Sequence, residues 1–268
     1  MSHDTIPYST TKMKVFQFKD GMGHSMRIHP VLFRIGSKLI GIPHLGTRYR
    51  LYLLKKTLNS LKLPPNARVI DVGCGYGFNT LELAKRGWDV VGIDKDSERL
   101  SVAQDLAEIE GRHIDFRKGN LYRLPFEDNQ FDLCLFFEVI EHLRDPQRAL
   151  SEISRVLRPQ GMLILSIPRF SINRFTYKHL GHLREGFTDK ELRRIKTTSR
   201  FRTKKIIPLG RGMVGRLTML TSFYATRLSV PLAVALTPVL YTLIRIDEML
   251  PKSNKSLVNA IEVLQKLT

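Results

Sequence analysis

The sequence feature that most constrains the fold is a short apolar run that leads into a glycine-rich loop. Residues 68–72 contain two valines and an isoleucine, which is typical of a buried parallel strand. Glycine then occupies every second position from Gly73 to Gly77, so the backbone can turn sharply and a ligand can lie against it. Residues 79–86 are predicted to be helical. A loop between the carboxyl end of a strand and a following helix is the ligand-binding edge of a doubly wound sheet.

The glycine spacing separates two kinds of ligand. A dinucleotide loop requires G-x-G-x-x-G, with the pyrophosphate held at the helix N-terminus. This chain reads G-x-G-x-G, with Phe78 in the third slot of the dinucleotide pattern. Asp71 lies at the predicted strand tip, where its carboxylate would repel a pyrophosphate and attract a cation. S-Adenosylmethionine carries an ammonium and a sulfonium group and no phosphate, so it fits both observations.

These residues resemble the first motif of the class I S-adenosylmethionine-dependent methyltransferases, which reads D-x-G-x-G-x-G. The resemblance runs from Val69 to Ile167 and is close to the subgroup that includes ubiquinone-pathway O-methyltransferases, whose fourth strand leads into E-x-x-E-H. It implies an α/β fold, a Rossmann-like doubly wound and mostly parallel sheet, here with an N-terminal extension and a C-terminal helical insertion. It also implies S-adenosyl-L-methionine as the cofactor.

The resemblance assigns further cofactor contacts to the ends of the next strands. Asp94 takes the position that binds both ribose hydroxyls; the alternative is an N-cap for the helix at 97–109, for which Asp96 or Ser97 is better placed. Asn120 and Leu121 take the positions that border the adenine, the alternative being an ordinary turn. The complete set of expected cofactor contacts is Asp71, Gly73, Cys74, Gly75, Gly77, Asp94, Lys95, Asn120, Leu121 and Phe137.

The candidate catalytic residues follow the fourth predicted strand, 131–137. If the turn after this strand is helical, Glu138, Glu141 and His142 share one face. In one interpretation His142 is a general base that takes a hydroxyl proton as the methyl group moves to the oxygen. In a second, these side chains hold a divalent cation, with His182 as the nearest further ligand. In a third, they only line the pocket.

The chain is predicted to have three parts: an N-terminal extension (1–46), a cofactor-binding core (47–200) and a C-terminal part (201–268). In the last part, residues 201–207 are a candidate sixth strand, and 257–267 are compatible with a seventh strand or a helix. Between them lies an insertion at 214–250. Its core, 230–244, has about fifteen mostly apolar residues broken by two prolines, whereas a membrane span needs about twenty. We expect a helical element that dips into one leaflet, or a buried cap, rather than a transmembrane helix.

The net charge of +18 implies an anionic partner. Basic residues are concentrated between Lys190 and Arg216, and together with the apolar insertion they favour an anionic membrane surface. The two cysteines, Cys74 and Cys134, have no reason to face each other, and residues 1–14 lack the pattern of a signal peptide. A cytoplasmic location follows, with peripheral attachment to the inner face of the membrane as its extension.

The predicted function is S-adenosylmethionine-dependent methyl transfer to a small or lipid-like acceptor, such as O-methylation of a quinone, lipid or glycan precursor near a membrane. An RNA methyltransferase is the alternative, favoured by the charge. Nucleic acid is the less favoured partner because the fourth strand is not followed by the N/D-P-P-Y motif of many base N-methyltransferases. A non-catalytic adenosine-ligand binding module is a second alternative. The sequence specifies neither the acceptor nor the oligomeric state.

Overall fold

The structure is a computed structural model in which a limited set of residues is described: 16–19, 25–28, 45–168, 182–184, 186–209, 217, 218, 221, 225, 230–249 and 259–268. The described strands are β1 (Phe16–Lys19), β2 (Ser25–Ile28), β3 (Arg68–Val72), β4 (Asp89–Asp94), β5 (Asp115–Lys118), β6 (Phe131–Phe136), β7 (Leu157–Pro168), β8 (Phe201–Leu209) and β9 (Asn259–Lys266). The described helices are α1 (Leu45–Ser60), α2 (Phe78–Ala84), α3 (Ser97–Ile109), α4 (Pro146–Val156), α5 (Asp189–Thr198) and α6 (Val230–Met249).

Seven strands form one sheet in the order β5-β4-β3-β6-β7-β9-β8, and β1 pairs with β2 in a separate antiparallel ribbon. Neighbours from β5 to β7 are parallel, whereas β9 is antiparallel to both β7 and β8. The chain builds outward from β3 to β5 and then returns to β6 on the other side of β3. The predicted doubly wound α/β sheet is therefore confirmed, and its switch point lies between β3 and β6.

The central strands are buried on both sides, which explains their continuous apolar runs. Val69 of β3 pairs with Val90 on one side and with Leu133 on the other, and all three are buried. One face of the sheet packs against α1, α2, α3 and α6, and the other packs against α4 and α5. Such burial on both faces is the pattern expected of a parallel sheet covered by two helical layers.

Local capping fixes where several helices begin. Asp96 is the N-cap of α3 and accepts hydrogen bonds from the backbone N–H groups of Glu98 and Arg99. Asp94 is therefore not the cap of that helix. Thr188 and Glu191 form the predicted capping box at the start of α5.

The C-terminal part combines a strand pair with the apolar helix. The candidate sixth strand is β8, and the ambiguous segment at 257–267 contains strand β9 rather than a helix. Helix α6 covers the core of the predicted insertion. None of the helices in the described ranges is both long and apolar enough to cross a membrane. The predicted domain boundaries remain predictions. Apart from β1, β2 and residues 45 and 46, the predicted 1–46 extension lies outside the described residues.

Helix α6 lies beside α1 and is tied to it by two arginine–tyrosine contacts. The guanidinium of Arg48 lies 5.0 Å from the ring centroid of Tyr241, and that of Arg245 lies 3.9 Å from the centroid of Tyr52. The two contacts are one turn apart on both helices. α5 packs on the opposite face of the sheet from α6. The part of the basic run that lies on α5 is therefore not beside the apolar helix, whereas the sequence suggested that the two were neighbours.

Candidate active site

The loop between β3 and α2 adopts a conformation that only glycine accepts readily. Gly73, Gly75 and Gly77 have φ angles of 77°, 53° and 75°, in the left-handed region. The N–H groups of Gly73 and Cys74 both donate to the carbonyl oxygen of Ile93, at 2.7 and 3.1 Å. The loop is thereby pinned to the end of β4.

The surroundings of two of these glycines differ. A side chain at Gly73 would collide with Val139, in the segment that follows β6. A side chain at Gly75 would meet no atom of the described residues within 4 Å. The loop therefore presents a bare backbone surface to a ligand at Gly75 and contacts the candidate catalytic segment at Gly73.

Asp94 has the geometry that a ribose-binding carboxylate needs. Its Oδ2 accepts a hydrogen bond from the N–H of Gly75 at 2.9 Å, and its Oδ1 accepts one from the N–H of Asp96 at 3.0 Å. These two bonds orient the carboxylate at the carboxyl end of β4, and each oxygen keeps a lone pair. The residue therefore fits the predicted contact with the two ribose hydroxyls.

Asp71 is buried and turned towards α2. Its Oδ2 accepts a hydrogen bond from the hydroxyl of Thr80 at 2.7 Å. Burial raises the pKa of Asp71 to about 7; the Thr80 hydrogen bond opposes this rise, and the charge of Asp94 adds to it. Any attraction of a cationic ligand by Asp71 would therefore act through the protein interior and would weaken when the carboxyl is protonated.

The other predicted cofactor residues also follow strand ends at the same sheet edge. Lys95 is exposed directly after β4, and Phe137 is buried directly after β6. Asn120 follows β5, and its Oδ1 accepts a hydrogen bond from the N–H of Tyr122 at 2.9 Å, which leaves its amide NH₂ available. Leu121 packs against the core.

Cys74 lies within the glycine loop, and its thiol has low reactivity. Burial raises the pKa of its thiol well above the usual range, and the charges of Asp71 and Asp94 add to the effect. The Cys74 side chain therefore stays a neutral thiol and serves as a small apolar group.

The segment after β6 differs from the expected helical turn. Only Ile140–His142 form a turn of 3₁₀ helix, and Glu138 lies before it with a φ of 57°. The Glu138 N–H donates to Ser166 Oγ at 2.8 Å, and the Ser166 hydroxyl donates to Glu138 Oε1 at 2.6 Å. Arg50 Nη1 lies 3.1 Å from Glu138 Oε2. These contacts fix Glu138 in a different orientation, so the predicted single helical face of three side chains is wrong.

Arg50 was not identified from the sequence. It lies in α1, 88 residues before its partner Glu138, and no sequence motif connects the two positions. The structure shows that Arg50 is half-buried. Because a buried arginine requires a hydrogen-bond acceptor, this burial indicates that Arg50 has a specific partner.

Glu141 is a buried acid with an unmet hydrogen-bonding requirement. Only 1% of the residue is exposed, and its Oε2 has no hydrogen-bond partner among the described residues. Burial raises the pKa of Glu141 to about 8, and the nearby charge of Glu138 contributes. An unpaired carboxylate in such a position is unfavourable, so the site favours a proton or a cation at Glu141.

The loop around His182 brings this residue to Glu141 and His142. His182 Nε2 lies 3.9 Å from Glu141 Oε1, and its ring meets the ring of His142 edge to face at a centroid distance of 4.8 Å. The loop is held by the Leu183 N–H, which donates to the Glu141 carbonyl at 3.0 Å, and by Arg184, which donates to the Leu143 carbonyl at 2.8 Å.

The imidazole of His182 is held in its neutral form. Burial lowers the pKa of His182 to about 4, and His142 lowers it further. Its Nδ1 is buried and has no hydrogen-bond partner in the part of the chain that the structure describes. Neutral imidazole nitrogens and carboxylate oxygens are the donors that bind divalent transition metals.

Glu141, His142 and His182 together fit a small cation. One donor atom from each residue can be chosen so that all lie within 4.8 Å of one another. Within the described ranges, two of the three residues carry a buried atom without a hydrogen-bond partner. Glu138 is held instead by Arg50 and Ser166, so the predicted pair of carboxylates is reduced to one, with His182 as the third group.

Comparison with known proteins identifies the same core. The family described as "Methyltransferase domain" matches residues 70–165. A ubiquinone biosynthesis O-methyltransferase of Azorhizobium caulinodans is 32% identical over 122 residues, covering 46% of this chain and 48% of the relative. A demethylmenaquinone methyltransferase of Lactiplantibacillus plantarum is 36% identical over 115 residues, covering 41% and 48%. The chain spans about half the length of the curated relatives it matches.

Solved structures share the fold across more of the chain. The [4+2]-cyclase SpnF superposes with a TM-score of 0.60 at 20% identity, covering 81% of each chain. A Haemonchus contortus phosphoethanolamine N-methyltransferase in complex with S-adenosylhomocysteine gives a TM-score of 0.59 at 16% identity, covering 82% of this chain and 53% of that chain. At these identities the likeness is one of fold.

The sheet order, the glycine loop and the matched family define the class of protein. Residues 70–165 match a methyltransferase domain, and the fold is that of the class I, S-adenosylmethionine-dependent methyltransferases, whose cofactor is S-adenosyl-L-methionine. The residues present fit this cofactor: a bare loop at Gly75, an oriented carboxylate at Asp94 and a half-satisfied amide at Asn120 lie at one sheet edge.

Proposed function

We propose that the protein transfers the methyl group of S-adenosylmethionine to a hydroxyl oxygen of a small, apolar acceptor of the quinol or lipid type. The observation that carries this proposal is the cluster of Glu141, His142 and His182 beside the glycine loop, which it reaches through the contact of Val139 with Gly73. The names of the two relatives, which refer to ubiquinone and demethylmenaquinone, support a quinone-like acceptor.

The proposed chemistry assigns a separate task to each part of the site. The cofactor, when bound, supplies an electrophilic methyl group on its sulfonium. The glycine loop and Asp94 would hold the nucleoside half in place, so that the methyl group and the acceptor oxygen meet in line. His142 is exposed and would take the acceptor's proton as the oxygen–carbon bond forms and the sulfur–carbon bond breaks. The products of the proposed reaction are a methyl ether and S-adenosylhomocysteine.

A divalent cation held by Glu141, His142 and His182 is the alternative role for the same cluster. It would supply a positive charge that lowers the pKa of an acceptor hydroxyl. The two buried atoms without partners, Glu141 Oε2 and His182 Nδ1, support this role. Because a histidine that binds a metal through its catalytic nitrogen is not also the base, the two roles are separable by experiment.

The test is turnover and cofactor affinity of His142→Ala, with His113→Ala as a control at an exposed histidine outside the cluster. With labelled cofactor and a short-chain quinol, we expect His142→Ala to lose about 10²-fold or more in kcat, while the cofactor Kd measured by calorimetry changes little. The control should match the wild type. Unchanged turnover in His142→Ala would contradict the catalytic role.

A chelator separates the base from the cation. If activity is lost in EDTA and restored by Mg²⁺, Mn²⁺ or Zn²⁺, the cluster holds a metal. If activity is insensitive to EDTA while His142→Ala remains inactive, His142 acts as the base.

We also place the proposed reaction in the cytoplasm, near a membrane surface, because an apolar acceptor partitions into lipid. RNA methylation is the second candidate, and one observation favours it: α5 and β8 present a cluster of exposed cations, Lys190, Arg193, Arg194, Arg202, Lys204 and Lys205. RNA binding that falls steeply with salt, together with labelled RNA after incubation, would support this candidate. Cofactor binding without any labelled product would support a binding module.

A further inference from the structure

Helix α6 exposes a face without charge. Among the α6 residues whose side chains are described, the exposed ones are Leu232, Ala235, Pro238, Val239, Thr242, Leu243, Ile246 and Met249. At 3.6 residues per turn these positions cover a continuous arc of about 140°. The single hydroxyl, that of Thr242, donates to the carbonyl of Pro238 at 3.0 Å, within the helix. We name this arc the α6 face.

The α6 face is unusual for the surface of this chain, in which 25% of residues are charged. Leu240 and Ile244 are buried on the other side of the helix, so the helix has one apolar side in the protein and a second apolar side at the surface. A surface helix of a soluble domain normally turns polar residues outward. A contiguous exposed apolar strip of this kind marks an interaction surface.

Cations border the α6 face on the side of α1. Arg48 and Arg245 lie over the half-buried rings of Tyr241 and Tyr52. An apolar strip bordered by arginines and tyrosine rings is the arrangement of a helix that lies in a membrane interface.

We propose that the α6 face docks the protein on the surface of an anionic lipid bilayer. This inference deepens the proposed function, on which it rests for the apolar nature of the acceptor. A lipid surface suits the site better than a second copy of the chain, because two copies that meet through this face would bring their cationic borders together, at a net charge of +18 each. Anionic headgroups complement the same cations, and the apolar arc enters the acyl boundary.

The test uses two matched double variants of the full chain. The first is Leu243→Asp with Ile246→Asp, at positions that are 38% and 46% exposed; the second is Ile206→Asp with Leu267→Asp, at 41% and 39%, away from α6. Each pair removes two exposed apolar side chains and lowers the net charge by two. Equal circular dichroism and thermal melting of the two variants would show that both fold.

Binding is measured by flotation with vesicles of phosphatidylcholine alone and with one-third phosphatidylglycerol, at low and high salt. We expect the wild type and the second variant to bind the anionic vesicles, and the first variant to bind at least tenfold more weakly. Equal losses of vesicle binding in both variants would mean that net charge alone determines the binding, and would overturn the proposal. Absence of wild-type binding would overturn it too, as would a dimer of the wild type that the first variant alone breaks.

The two proposals fail separately. A short-chain, water-soluble quinol assayed without vesicles tests methyl transfer alone, and both double variants should turn it over at the wild-type rate. A wild type that binds anionic vesicles but methylates no quinol would leave the docking face in place and refute the proposed acceptor class. A wild type that methylates the quinol but does not bind anionic vesicles would refute the docking proposal alone.

Discussion

Two aspartates, Asp94 and Asp96, lie two residues apart and have different tasks. Asp94 orients the glycine loop and faces the predicted ribose, whereas Asp96 caps α3. We expect Asp94→Asn to weaken cofactor binding by about tenfold or more, because hydrogen bonds to a charged group contribute about 1.5–3 kcal/mol. Asp96→Ala should leave the cofactor Kd near that of the wild type and destabilise the fold by about 1 kcal/mol. Calorimetric titration and thermal unfolding separate the two effects, and equal losses of affinity would contradict the assignment.

The buried carboxyl of Asp71 predicts a pH dependence of stability. Its pKa is raised from 3.8 to about 7 in the folded protein, so the folded state holds the proton more tightly than the unfolded chain does. Stability from this group is fully present below about pH 4 and is lost as the pH rises towards 7. The difference in pKa corresponds to about 4 kcal/mol at most.

The measurement is the free energy of unfolding in urea between pH 5 and 8, without cofactor, for the wild type and Asp71→Asn. The wild type should lose stability relative to the variant as the pH rises. Because the other titrating groups are common to both proteins, a constant difference across this range would show that Asp71 is ionised throughout.

At single residues, sequence reasoning was strongest where backbone geometry restricts the choice of amino acid. The three glycines adopt the positive φ angles that their spacing suggested, and Asp96 rather than Asp94 is the helix cap. The partners of Glu138 were not predictable, because Arg50 and Ser166 reach it from elements distant in sequence. The inward direction of the Asp71 side chain, towards Thr80 of the next helix, was also missed.

At the scale of elements, the glycine loop separates a structural requirement from a binding requirement. Gly73→Ala would place a methyl group against Val139 in a left-handed backbone, and we expect a loss of about 2–5 kcal/mol in stability. Gly75→Ala meets no neighbouring atom, so it should cost only about 1–2 kcal/mol. Its methyl group would occupy the open space proposed for the cofactor and should weaken cofactor binding.

Urea unfolding and cofactor titration of the two variants measure these effects. If Gly75→Ala binds the cofactor as well as the wild type does, the ligand does not lie against that part of the backbone.

The turn after β6 shows where element prediction failed. The spacing E-x-x-E-H predicted a helical face, but the contacts of Glu138 with Arg50 and Ser166 and the positive φ of Glu138 override that local preference. His182 joined the cluster instead, brought there by backbone contacts of a loop that has no periodic pattern. Tertiary contacts of this kind are not encoded in local spacing.

At the scale of the whole molecule, one buried ion pair joins α5 to the sheet. Lys196 Nζ lies 2.7 Å from Glu262 Oε2 of β9 and donates to Thr203 Oγ1 of β8 at 2.9 Å. We expect Lys196→Met to destabilise the protein by about 3–5 kcal/mol, because it removes the cation that offsets the buried charge of Glu262.

Replacing both partners, as in Lys196→Met with Glu262→Leu, should restore much of this loss. Denaturant unfolding of both variants tests the expectation. A double variant as unstable as Lys196→Met would mean that the contact of Lys196 with Thr203, rather than the loss of the cation beside Glu262, determines the stability.

The overall fold was largely predictable, because apolar runs, glycines and strand-end acids are arranged in chain order along a known architecture. What failed was the relation between distant segments. Nothing in the local sequence placed α5 and α6 on opposite faces of the sheet, and the apolar residues of β9 do not alternate, because the strand is buried between two neighbours.

The position of β9 has a consequence for biosynthesis. This strand lies between β7 and β8, yet it leaves the ribosome only after β8 and the roughly fifty residues that follow β8 have been made. Until then β8 has no neighbour to pair with, and the growing polypeptide exposes an open sheet edge at β7. The nascent chain is thus most vulnerable to aggregation during that interval, when a chaperone at the exit tunnel would have most effect.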